Sequence, residues 1–89
     1  MSKRQEDRLL DNGWDDAEIM IIEDDALCES LVGVTSDERA VYDESKMAEE
    51  MMQAYGMTYE DAIEHIEFNI VRALPYYGDK APIIYNPLE

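Results

Sequence analysis

The stretch SLVGVTSDERAVYD, residues 30–43, decides the fold class. Leu31, Val32 and Val34 form one β-rich run, and Ala40, Val41 and Tyr42 form another. Between them lies TSDE, where Ser36 and Asp37 favour a turn because their short polar side chains bond to nearby backbone. Two such runs joined by a short polar loop predict a β-hairpin, which can bury one face and leave the other wet.

Downstream, YDESKMAEEMMQAYG predicts a helix. Asp43 is its N-cap, since a carboxylate accepts the unpaired amide hydrogens of the first turn. Met47, Met51 and Tyr55, with Ala48 and Met52, recur at helical spacing and make one apolar stripe. Glu49 and Glu50 face away from it, and Gly56 closes the helix.

A second helix is predicted in TYEDAIEHIEFNIVRALPYYG, capped by Thr58 with Asp61 as a weaker capping-box partner. Pro75 and Gly78 end it. The linker between the two helices is short, so they should be antiparallel neighbours or an angled pair. APIIYNP then predicts a terminal strand, with Pro82 at its start suiting an edge.

Upstream, Ser2 to Asn12 reads as a short helix ended by Gly13. Its apolar content is thin (Leu9, Leu10, then Trp14), which suits loose docking. The run Ile19 to Ile22 is too short to separate a strand from a helical turn, and we read it as a strand. The expected architecture is a single α+β domain over residues 1–87. The hairpin and C-terminal strand form a small sheet, and two helices pack on one face. Leu88 and Glu89 have the form of a vector-derived remnant.

Charge bounds the function. The 89 residues hold 22 acids against 7 bases, a net charge of −15. Residues 9–38 contain no Lys or Arg, and neither do residues 47–71. Such a field repels nucleic acid, whose phosphates need clustered cations, and it repels anionic membranes. It attracts a basic protein surface and speeds encounter with it. The alternative is a surface that is merely solubilising.

No apolar run is long enough for a membrane span, and the charged N-terminus does not have the form of a signal peptide. The lone Cys28 has no internal disulfide partner, and one histidine with one cysteine does not make a structural zinc site. A reducing, cytoplasmic location is the expectation.

EHIEFN, residues 64–69, is the most site-like stretch, with two carboxylates, the single histidine and a carboxamide. On an ideal helix with Ile63 at zero, Ile66, Ile70, Ala73 and Leu74 fall within about 80° and form the core face. His65 falls at about 200°, with Asp61 and Arg72 nearby, and Glu67 and Asn69 straddle the edges of the core face at about 40° and 240°. His65 and Glu67 therefore do not converge on one ion, and His65 reads as a surface residue paired with Asp61. Glu67 needs a hydrogen-bond partner, or water, or a raised pKa.

WDD, EDD and SDE lack the spacing of a calcium loop. No phosphate-binding glycine motif or nucleophile motif is present. The acids around Cys28 would deactivate a thiol nucleophile. No catalytic residue, metal or cofactor is expected.

RAVYDESKM and GMTYEDAIEHIEFNIVRALPYYGDKAPII together resemble a group of short uncharacterised proteins common in bacterial, archaeal and bacteriophage genomes. The shared pattern falls on Tyr42 and Asp43, Lys46 and Met47, Gly56 to Glu64, Asn69 and Pro82. It covers roughly the second half of the chain and leaves out residues 1–30. The resemblance implies a fold and a phage or mobile-element origin, and no activity.

The functional expectation is a small acidic, non-enzymatic protein that works through protein contacts with a basic partner. One alternative is an acidic mimic of nucleic acid that blocks a DNA-binding enzyme. Another is a small ligand-binding domain built on Glu67 and the loop tyrosines. The candidate interaction or pocket residues are Tyr42, Glu67, Asn69, Tyr76 and Tyr77.

Overall fold

The hairpin forms where the sequence places it. Strands β1 (Leu31–Val34) and β2 (Ala40–Asp43) pair antiparallel, with Leu31 opposite Tyr42 and Val34 opposite Ala40. Between Leu31 and Gly33 the register shifts, so Val32 is an extra, bulged residue. The loop closes through the Thr35 N–H on the Arg39 carbonyl at 2.8 Å and the Arg39 N–H on Thr35 Oγ1 at 3.0 Å. Glu38 sits in the left-handed region at φ 65° to complete the turn.

These relationships come from a computed structural model, which describes residues 3–15 and 18–88. Met1 and Ser2 of the N-terminal stretch, Asp16 of the acidic span, Ala17 and Glu89 of the expected remnant lie outside them.

Helix α1 spans Lys3–Asp11 and ends in a glycine cap. The Gly13 N–H donates to the Leu10 carbonyl at 3.0 Å, and the Trp14 N–H to that of Leu9 at 2.9 Å. Gly13 takes φ 86°, which costs glycine nothing. This cap brings Trp14 back over the core beside the buried Leu9.

Helix α2 (Glu44–Tyr55) starts at Asp43, whose carboxylate accepts the Lys46 N–H at 3.2 Å. Gly56 ends it with φ 69°. Helix α3 (Tyr59–His65) starts at Thr58, whose hydroxyl accepts the Asp61 N–H at 3.2 Å. It then departs from the expected single α-helix. A π-helical turn occupies Ile66–Ile70, and tighter 3-10 turns follow over Val71–Lys80, broken at Gly78. Strand β3 (Ile83–Tyr85) returns parallel to β2.

The sheet order is β1-β2-β3, an α+β arrangement with β2 in the middle. Helices α2 and α3 form the crossover between the parallel strands β2 and β3, a connection that adjacent parallel strands require. The core joins Leu31, Ala40 and Tyr42 of the sheet to Met47, Ala48 and Met51 of α2. Ala62, Ile66 and Ile70 close it from the other helical segment, and Leu9, Ile19, Ile22 and Leu27 fill it from the N-terminal third. Tyr55, expected on the stripe, is instead 52% exposed.

The expected strand at Ile19 to Ile22 does not form. Ile19 and Ile22 are buried and Met20 is exposed, but the backbone of Ile22 bonds to two side chains and to the Asp24 N–H of a local turn rather than to a neighbouring strand. Its N–H donates to Tyr42 Oη at 3.0 Å, and its carbonyl accepts from Gln5 Nε2 at 2.8 Å. The Tyr42 hydroxyl in turn donates to Gln5 Oε1, closing a buried ring of three hydrogen bonds. The backbone N–H and carbonyl of Ile22 are thus satisfied without a partner strand. The same ring anchors α1, whose apolar content is thin but whose Gln5 is fully buried.

Glu50 also departs from expectation. Far from facing idle solvent, its carboxylate accepts the N–H groups of Cys28 at 3.0 Å, Glu29 at 2.9 Å and Ser30 at 3.2 Å. It thereby fixes the chain just before β1 onto α2.

Candidate functional site

The parallel register builds the site. Asp43 of β2 lies opposite Tyr85 of β3, so the next residues along, Glu44 and Asn86, emerge side by side at the same sheet end. Asp43 caps α2, which places Glu44 in its first turn, only 6% exposed. The π-helical turn brings Glu67 over from α3, and the carboxyls of Glu44 and Glu67 meet within hydrogen-bond reach. Asn86 lies by the same Glu44 carboxyl and favours its ionised form.

Burial pushes Glu44 up to about 7, and the Glu67 carboxyl beside it adds to the rise, while the Asn86 contact opposes it. Glu44 therefore keeps its proton up to about neutral pH, beside the Glu67 carboxyl. Such a pair can give or take a proton, or trade its proton for a cation. Three features mark the place. It lies at the carboxyl end of parallel strands, where open α/β sheets bind ligands. One carboxyl comes from a π-turn, a rare element that collects at functional sites. And one group carries a strongly perturbed pKa. Among the described residues, no group of three or more His, Cys, Asp or Glu side chains is arranged to hold a metal ion.

The expected site residues are dispersed. Glu67 is exposed, and its neighbour is the Glu44 carboxyl. Asn69 is exposed and pairs with His65, Nδ2 to Nδ1 at 3.2 Å. His65 is therefore partnered by Asn69 rather than by Asp61. Tyr76 is 90% exposed and Tyr77 half-buried, on the 3-10 turns. Tyr42 is fully enclosed in the core, where burial pushes its phenol far above the ordinary range. Arg72 lies over the Phe68 ring, 5.5 Å from its centre, rather than beside His65.

Glu44 and Asn86 were missed. Glu44 reads as an ordinary first-turn acid, favourable beside a helix dipole. The signal that could have found it is the parallel pairing of β2 and β3, which aligns Glu44 with Asn86.

Elsewhere the surface is strongly acidic. Asp11, Asp15, Glu18, Glu23, Asp25 and Glu29 are exposed along the base-free N-terminal span. Glu49, Glu60, Asp61 and Glu64 are exposed on the two helices. Several cations are placed on backbone carbonyls instead. Arg8 Nη2 donates to Leu31 at 2.8 Å, Arg39 Nε to Ala81 at 2.8 Å, and Lys80 Nζ to Asp37 at 2.5 Å.

No protein-family model, curated protein or solved structure matches the chain. No helix among the described residues is long and apolar enough to cross a membrane.

Proposed function

We propose that this chain is a non-enzymatic interaction protein of the cytoplasm that docks the basic surface of a partner protein. The observation that supports this best is the spread of exposed carboxylates, from Asp11 to Glu29 and along both helices, within a net charge of −15. Such a surface steers a cationic partner at long range and rejects anionic ones.

The Glu44–Glu67 pair gives this surface a chemically distinct point. A lysine or arginine of the partner placed there would take over the role of the Glu44 proton, since a nearby cation favours the ionised carboxyl. Docking would then release a proton near neutral pH. The test is capture of partners from cell extract by the immobilised protein, repeated across a salt series. Capture of cationic proteins that falls away by about 0.5 M salt supports the proposal, because exposed charge pairs are screened there. Capture that is indifferent to salt, or of acidic proteins, contradicts it.

A further inference from the structure

The strongest feature not yet used is the outward side of the segment that runs from α3 through the π-turn. Exposure recurs there every fourth residue, at Glu64, Phe68, Arg72 and Tyr76. Between them Ala62, Ile66 and Ile70 are buried, and Leu74 is half-buried, so one side of the segment faces the core throughout. On a regular α-helix each four-residue step would turn by about 40°. The wider repeat of the π-turn at Ile66–Ile70 takes up that drift between Glu64 and Arg72. The Arg72 guanidinium accordingly lies over the Phe68 ring, 5.5 Å from its centre. Tyr76 follows on the exposed side, and the row forms a ridge.

Two observations indicate what this ridge takes. One is its ring chemistry. Phe68 is 58% exposed and Tyr76 90%, and the Phe68 ring already seats a guanidinium. Tyr76 presents a second ring face of the same kind, to which an arriving arginine is attracted. Tyrosine and arginine are also among the residue types that carry most of the binding energy of protein interfaces. The second is charge. Glu60, Asp61, Glu64 and Glu67 are exposed on the same segment, against one arginine, Arg72. That balance complements a cationic partner and repels a nucleic acid, whose bases would otherwise suit the rings. The net charge of −15 likewise opposes a second copy as the occupant.

We propose that this ridge is the docking face for the basic partner, which lays an arginine-bearing segment along residues 64–76. One arginine stacks on the Tyr76 ring, and further cations meet Glu64 and Glu67 beside Phe68. At the helical rise the ridge is roughly 18 Å long, the span of about six extended residues. The face selects arginine over lysine, because the planar guanidinium stacks on a ring while an ammonium is a compact, strongly hydrated point charge. Glu67 belongs to this face and to the Glu44 contact, so the two places adjoin. The proposal rests on the basic-partner reading and names both where the partner is held and which cation it presents.

The experiment titrates the full ¹⁵N-labelled chain with two synthetic peptides of equal charge, Arg-Ala-Arg-Leu-Arg-Ala-Arg and Lys-Ala-Lys-Leu-Lys-Ala-Lys. The arginine peptide should shift the amides of residues 64–76 and bind at least about threefold more tightly than the lysine peptide. Tyr76→Ser removes an exposed ring without changing the charge, and should bring the two affinities level. Equal affinity of the unaltered chain for both peptides, with shifts spread over the exposed acids, overturns the ridge and leaves the basic-partner reading standing. An arginine preference that survives Tyr76→Ser overturns it too. Binding by neither peptide overturns the docking face, while the salt series above judges the broader reading separately. Shifts at residues 64–76 that depend on protein concentration without peptide assign the ridge to a second copy and overturn the proposal as well.

Discussion

The carboxyls of Glu44 and Glu67 meet at the end of the parallel strands, and the Glu44 carboxyl is buried and held up to about 7. The contact joins the start of α2 to the π-turn, with Asn86 of the chain after β3 by the same carboxyl. A local cost is thus built into the fold at high pH, where the buried Glu44 must ionise beside another carboxyl.

The sign follows from which state binds the proton. Folded Glu44 keeps its proton up to about 7, whereas the unfolded group loses it near 4.5. Between these values the native state binds more protons, so stability falls as pH rises through that window. Glu44→Gln should therefore gain about 1–2 kcal/mol at high pH, after allowing for the lost negative charge at the helix start, and change little at low pH. Denaturant unfolding at about pH 5 and pH 8 measures this. An equal effect at both values would remove the retained Glu44 proton from the account.

Tyr42→Phe removes one atom from the buried ring that links Gln5, Ile22 and Tyr42. The Ile22 N–H and Gln5 Oε1 are left without that partner, which predicts a loss of about 1–3 kcal/mol. Hydrogen exchange should rise at Ile22 and along α1 before it rises in the sheet.

Glu50→Ala removes the acceptor of three backbone N–H groups just before β1. The expected cost is about 2–3 kcal/mol, because bonds to a charged acceptor are the strong ones. Glu49→Ala, one residue earlier and exposed, serves as the control and should change stability by under about 0.5 kcal/mol in thermal unfolding.

Glu38→Gly relieves a side chain held at φ 65° in the hairpin loop. The left-handed conformation costs a non-glycine residue about 1 kcal/mol. The Glu38–Lys80 pair lost in exchange is exposed, at 3.8 Å, and such pairs contribute little. A rise in midpoint denaturant concentration is the expected readout.

Local chemistry made much of this fold readable. Asp43, Gly56 and Thr58 do at the helix ends what their side chains dictate, and the Thr35 to Arg39 loop turns where polar residues interrupt two β-rich runs. What stayed hidden depends on partners distant in sequence. Nothing near Ile22 discloses that Tyr42 and Gln5 will take its backbone bonds, so from sequence alone the apolar run has the form of a strand. Nothing near Glu50 discloses three amides from residues 28–30. The helical wheel located the core residues Ile66 and Ile70 correctly. It assumed one period throughout, however, and the π-turn at Ile66–Ile70 alters it where Glu67 and Asn69 lie. The neighbour of Glu67 is set by the register of β2 and β3, which no local pattern around residues 64–69 encodes.

The measurement that tests the account most directly is calorimetry of the captured partner binding to the purified chain, near pH 6.5, in buffers of differing ionisation enthalpy and at several salt concentrations. The account predicts an affinity that falls steeply with salt, and proton release that disappears in Glu44→Gln. Salt-independent binding, or identical proton release in the wild-type chain and Glu44→Gln, would contradict it.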